Sequence, residues 1–102
     1  MTPHPFKETY MRVAEKFIPA LLNGTKQITI RNGNRDYAEK ISIVGYPAIV
    51  ESVKHCTLAT CPLEILKDDG FIDVEDAVKK MKEYYSDITK DTEITVVRFH
   101  LV

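Results

Sequence analysis

The sequence predicts one α+β domain spanning residues 1–102, a small β-barrel with two or three flanking helices. Three observations lead there. A chain of 102 residues has the size of one hydrophobic core. The stretches at 27–31 and 93–101 are rich in β-branched residues and alternate in polarity, the pattern of strands. Asp73 is followed by Val74, Ala77, Val78, Met81 and Tyr85 at spacings of three and four, the pattern of a helix with one apolar face. Small proteins rich in strands dispose of their sheet edges by curling, hence the barrel.

The elements follow in order. Tyr10 to Val13 reads as a strand, and a short helix begins near Pro19, a residue suited to the first helical position, and leaves at Asn23-Gly24. A longer helix kinked at Pro19 is the alternative. In Gln27-Ile28-Thr29-Ile30-Arg31 the two isoleucines face inward, while Thr29 and Arg31 share the opposite face. Asn32 to Asp36 is a polar loop and Lys40 to Val44 the next strand. Gly45-Tyr46-Pro47 turns the chain into a strand from about Ala48 to Cys56. Pro62 starts a short helix through about Lys67, Asp68-Asp69-Gly70 ends it, and Asp73 caps the next one. The closing strand sets Val97, Phe99 and Leu101 on one face and is expected to lie centrally in the sheet.

Composition narrows the function. With 14 basic and 15 acidic side chains the net charge is −1, so no global cationic field attracts a long phosphate backbone. A nucleoside-sized ligand suits this balance, although Lys26, Arg31 and Arg35 form a local basic cluster that keeps RNA open as a partner. No apolar run approaches the length of a membrane span, and the start of the chain carries no secretory pattern, so the expected location is the cytoplasm, with no membrane role. Two cysteines, Cys56 and Cys61, lack the paired spacing of a zinc site even with His55 nearby. They read as buried thiols, and no metal or cofactor is expected. The sequence leaves the oligomeric state open.

Chemistry concentrates in Gly24-Thr25-Lys26-Gln27-Ile28-Thr29-Ile30-Arg31. In a regular strand Lys26 and Thr29 point to opposite faces, so they converge only if Lys26 lies in the turn before the strand, a turn that Gly24 permits. A desolvated lysine beside a threonine hydroxyl can act as the base that activates it. Exposed lysine and threonine on a strand are also common without any function.

The order Gly24, Lys26, Thr29, Arg31 after a short helix resembles the signature of the ASCH superfamily. Its threonine variant is similar to the small bacterial N4-acetylcytidine amidohydrolases. The likeness extends to the strand before Gly45, to Asp68-Asp69-Gly70-Phe71, to the helix reaching Tyr84-Tyr85 and to Val96-Val97-Arg98-Phe99. It departs at Glu39-Lys40, where the superfamily has glycine-aspartate, and at a shorter middle hairpin.

The resemblance implies a PUA-like barrel and removal of the acetyl group from N4-acetylcytidine, or a related modified nucleoside, to give cytidine and acetate. It places the base on Lys26 and the nucleophile on Thr29. The family glutamate falls on Asp69, one methylene shorter, with Asp68 and Glu64 as the other candidates. Arg31 and Gly24 are expected to bind substrate. The rival expectation is a non-catalytic RNA-binding module, in which Lys26 and Arg31 contact phosphates and base edges while Tyr37 or Tyr46 stacks on a base. Tyr84 and Tyr85 read more simply as core residues at a helix end.

Overall fold

A computed structural model describes residues 7–102. Five strands and three helices run in the order β1 (Glu8–Met11), α1 (Ile18–Leu22), β2 (Ile28–Asn32), β3 (Tyr37–Ile43), β4 (Tyr46–Thr57), α2 (Leu63–Asp68), α3 (Val74–Met81) and β5 (Glu93–Leu101). A single 3-10 turn, Glu15–Phe17, leads into α1. The strands form one sheet in the order β1-β3-β4-β5-β2, with β1 parallel to β3 and the other pairs antiparallel. The sheet curls into a half-barrel, assisted by a register shift in β4 between Val50 and Ser52.

Each face of the sheet carries a buried cluster. Ile28 and Ile30 join Ile94 and Val96 beneath α2 and α3, which contribute Ile65, Leu66, Ala77 and Met81. The concave face packs Met11, Leu21, Tyr37, Ile41, Ile43, Val97 and Phe99 around a second cluster. On the other face of β5, Ile94 and Val96 are buried, while Arg98 and His100 reach solvent. β5 is paired on both sides, but β4 occupies the middle of the sheet.

Several boundaries differ from the sequence expectation for physical reasons. The β3–β4 hairpin turns at Val44-Gly45, both in the left-handed region with φ of 50° and 87°, and Tyr46 and Pro47 already belong to β4. β3 starts at Tyr37, whose side chain is buried in the concave cluster. The helical pattern to Tyr85 is only partly helix. α3 ends at Met81, and Tyr85 reaches the core from the turns that follow.

Candidate active site

Two local structures place the functional side chains. At the exit of α1, Asn23 is the C-cap and Gly24 takes a left-handed φ of 83°, after which the Lys26 amide bonds back to the Ala20 carbonyl at 3.0 Å. Lys26 thus precedes β2 by two residues and escapes the alternation that begins at Ile28. Gly24 does not line the cleft described below. Its left-handed turn is what sets Lys26 ahead of the strand.

Asp69 is held by the end of α2. Phe71 N–H bonds the Leu66 carbonyl at 2.9 Å and Gly70 N–H the Lys67 carbonyl at 3.0 Å, with Gly70 left-handed at 93°. This pair of bonds is a Schellman motif, which fixes the direction in which the preceding Asp69 projects. Asp68, one residue earlier, points away and meets exposed Arg98 at 3.3 Å, while Glu64 is exposed.

Lys26, Thr29, Arg31 and Asp69 all line one cleft of about 990 Å³. Lys26 Nζ donates to Asp69 Oδ1 at 2.7 Å and to the Ile28 carbonyl at 2.9 Å. The two side chains are 12% and 8% exposed, so this is a buried ion pair, and the shorter aspartate reaches the lysine without help. Burial pushes the Asp69 carboxyl above its ordinary range, and the Lys26 ammonium, the Arg31 guanidinium and the Ile30 amide offset this only in part. No hydrogen bond joins Lys26 to the Thr29 hydroxyl among the described residues. Lysine and threonine share the cleft as expected, but the lysine's partner is the aspartate.

Thr29 is buried on the concave side of β2, opposite Val97 of β5. Arg31 lies on the same side and donates through Nη2 to the Arg12 carbonyl beyond the end of β1, while its Nε is buried without a partner. Arg35 pairs with Glu8 at 3.1 Å. Arg31 thereby ties β2 to the chain just beyond β1, where no backbone ladder connects the two outer strands, while Arg35 ties the loop after β2 to β1.

The tyrosines are redistributed. Tyr37 is 5% exposed in the core and Tyr46 lies in the hairpin outside the cleft, so neither can stack on a ligand there. Tyr84 and Tyr85 do line the cleft, and Tyr84 is 55% exposed. Phe17 was not legible as a site residue. Its ring centroid lies 5.1 Å from Lys26 Nζ, in cation–π range. Nothing in the pattern Glu15-Lys16-Phe17 separates it from an ordinary exposed aromatic. Among the described residues no cluster of three or more histidine, cysteine or acidic side chains has the geometry of a metal site. Cys56 and Cys61 are free thiols; burial and its neighbour Cys56 push Cys61 up to about 12. No helix of the described residues is long and apolar enough to cross a membrane.

A five-stranded curled sheet with three helices, its cleft bounded by the turn before β2 and the end of α2, defines an ASCH-like, PUA-like small α+β fold. Solved structures agree. The crystal structure of the hypothetical protein PH0355 superposes with a TM-score of 0.67 at 16% identity, covering 91% of this chain and 97% of the other. An NMR structure of a protein from Pyrococcus furiosus gives 0.58 at 16% identity, over 93% and 97% of the two chains. An ASCH domain from Lactobacillus crispatus gives 0.60 at 11% identity, over 91% and 79%. No protein-family model matches the chain, and no curated protein matches it significantly.

Proposed function

We propose that the protein is an amidohydrolase that removes the acetyl group from N4-acetylcytidine or a related acylated nucleoside, giving cytidine and acetate. The observation that carries this reading is the buried Lys26–Asp69 pair beside Thr29 in a cleft of nucleoside-accepting size. A carboxyl pushed up by burial can hold the proton that Lys26 must release before it acts as a base, and the 2.7 Å contact provides the path.

In the scheme, neutral Lys26 takes the proton of Thr29 as Oγ1 attacks the acetyl carbonyl carbon. Lys26 then returns that proton to N4 as the C–N bond breaks, cytidine departs, and an acetyl ester remains on Thr29. Water, deprotonated by Lys26, adds to the ester; acetate leaves and Thr29 regains its proton. Arg31 orients polar substrate atoms and stabilises charge on the acetyl oxygen. No cofactor enters the scheme.

The second reading is a non-catalytic RNA-binding module. It is favoured by the exposed Tyr84 at the cleft and by a resting Lys26 that is engaged with Asp69. Incubating the purified protein with N4-acetylcytidine and other acylated cytidines, followed by chromatography for cytidine, separates the two. Turnover lost in Thr29→Ala supports the hydrolase. A folded protein with no turnover, whose RNA affinity survives Thr29→Ala, supports the binding module.

A further inference from the structure

The cleft carries more positive charge than an uncharged nucleoside requires. Five basic and three acidic residues line it, although the chain as a whole is slightly acidic. Lys26 and Asp69 neutralise one another, and Lys80 is paired with Asp76 at 3.2 Å. Arg12, Lys16 and Arg31 remain against Glu15 and Glu83, and of these cations Arg12 and Lys16 are exposed, neither in an ion pair among the described residues.

Their placement is specific. Both belong to the stretch from β1 to α1 that forms one wall of the cleft, and the Arg12 backbone is tied to Arg31 of the candidate site. The ammonium groups of Lys16 and Lys26 each lie just over 5 Å from the centroid of the same Phe17 ring, so they stand within about 10 Å of one another. The upper end of that bound is on the scale of the span of a nucleotide from the reacting edge of its base to its 5′-phosphate, and the flexible Lys16 side chain and Arg12 on the same wall can reach a phosphate placed there.

We propose that the ligand of this cleft is a nucleoside 5′-monophosphate, with the base edge at Lys26, Thr29 and Asp69 and the phosphate held by Lys16 and Arg12. The amide-hydrolysis step rests on the function proposed above; the phosphate subsite does not. Arginine and lysine on a dianionic phosphate make charge-assisted bonds that an uncharged 5′-hydroxyl cannot reproduce.

Calorimetric titration of the full chain with cytidine and with cytidine 5′-monophosphate reads the subsite without catalysis. The monophosphate is expected to bind about tenfold or more tightly. The gain should disappear in Lys16→Ala/Arg12→Ala, while cytidine affinity and the unfolding midpoint stay unchanged. Hydrolysis of N4-acetylcytidine and of its 5′-monophosphate is measured in parallel.

Hydrolysis of both at equal kcat/KM, with equal binding of the two products, overturns the phosphate subsite and leaves the hydrolase standing. Preferential binding of the monophosphate without hydrolysis of either keeps the subsite and removes the hydrolase. An RNA oligonucleotide that binds orders of magnitude tighter than the monophosphate, with affinity growing with length, overturns the mononucleotide in favour of RNA. Absence of binding and turnover for every compound overturns both.

Discussion

Lys26→Met isolates the buried ion pair. In the native protein the ammonium and carboxylate meet at 2.7 Å with side chains 12% and 8% exposed. The variant leaves Asp69 with the Ile30 amide and the Arg31 guanidinium as its offsetting groups. Removing one partner of such a pair costs about 3–5 kcal/mol. An orphaned carboxyl can escape part of that by taking up a proton, at about 1.4 kcal/mol per unit of pKa displacement. Burial has already moved Asp69 in that direction, so we expect a loss of about 2–4 kcal/mol at neutral pH, on the order of 10–20 °C in Tm.

The pH dependence has a definite sign. The carboxyl's unfolded value is 3.8 and its folded value is higher, higher still in the variant. Between those values the folded state binds a proton that the unfolded state lacks. The variant's stability is thus greatest near the unfolded value and is lost as pH rises through the folded one, so its deficit shrinks on acidification. In Lys26→Met/Asp69→Asn no ionised side chain of the pair remains, and much of the loss should return. Urea unfolding of the native protein, Lys26→Met, Asp69→Asn and the double variant, followed by circular dichroism at neutral and mildly acidic pH, measures all of this. Effects that add to within about 0.5 kcal/mol would refute the coupling and, with it, the shared proton invoked in the proposed reaction.

Further outcomes follow from the same coordinates. Thr29→Ser should retain part of the turnover of N4-acetylcytidine, whereas Thr29→Val, close in shape, should lower kcat by about a thousandfold or more with a small shift in unfolding midpoint; steady-state kinetics decides. Val44, β-branched at φ of 50°, is strained in the hairpin turn but also packs against the second cluster, so the relief and the lost contact in Val44→Gly should offset to within about 1 kcal/mol in thermal unfolding. Asp73 accepts the Asp76 amide at 2.8 Å at the start of α3, and Asp73→Ala should cost about 1 kcal/mol by the same measurement.

The sequence carried the parts of the fold that depend on local pattern. Asp73 as a cap, the β-branched strand at 93–101 and the turn that frees Lys26 from strand alternation are readable because each is fixed within a few neighbours. Asp69 was legible only through the family resemblance, since two acids before a helix read locally as a solvated turn; the Schellman bonds explain why that place in the chain delivers a side chain to the cleft. Tertiary choices were hidden. Tyr37 and Tyr84 look alike in sequence, yet one fills the concave core and the other lines the cleft, because burial depends on the curl of the sheet. The lysine's partner lies 43 residues away, a distance over which no periodicity speaks.

The arginine clasp between the outer strands gives the half-barrel a seam. Among the described residues, β2 reaches the chain just beyond β1 through Arg31 on the Arg12 carbonyl, and the loop after β2 reaches β1 through Arg35 on Glu8. Parting the seam at Arg31 rotates one guanidinium group and leaves every rung of the sheet intact. The walls it separates are those of the cleft, since Arg12 stands on one and Thr29 and Arg31 on the other. A ligand can therefore enter by an excursion of side chains and a short wall segment, on the nanosecond to microsecond scale of such motions, while amides in β4 and β5 stay protected.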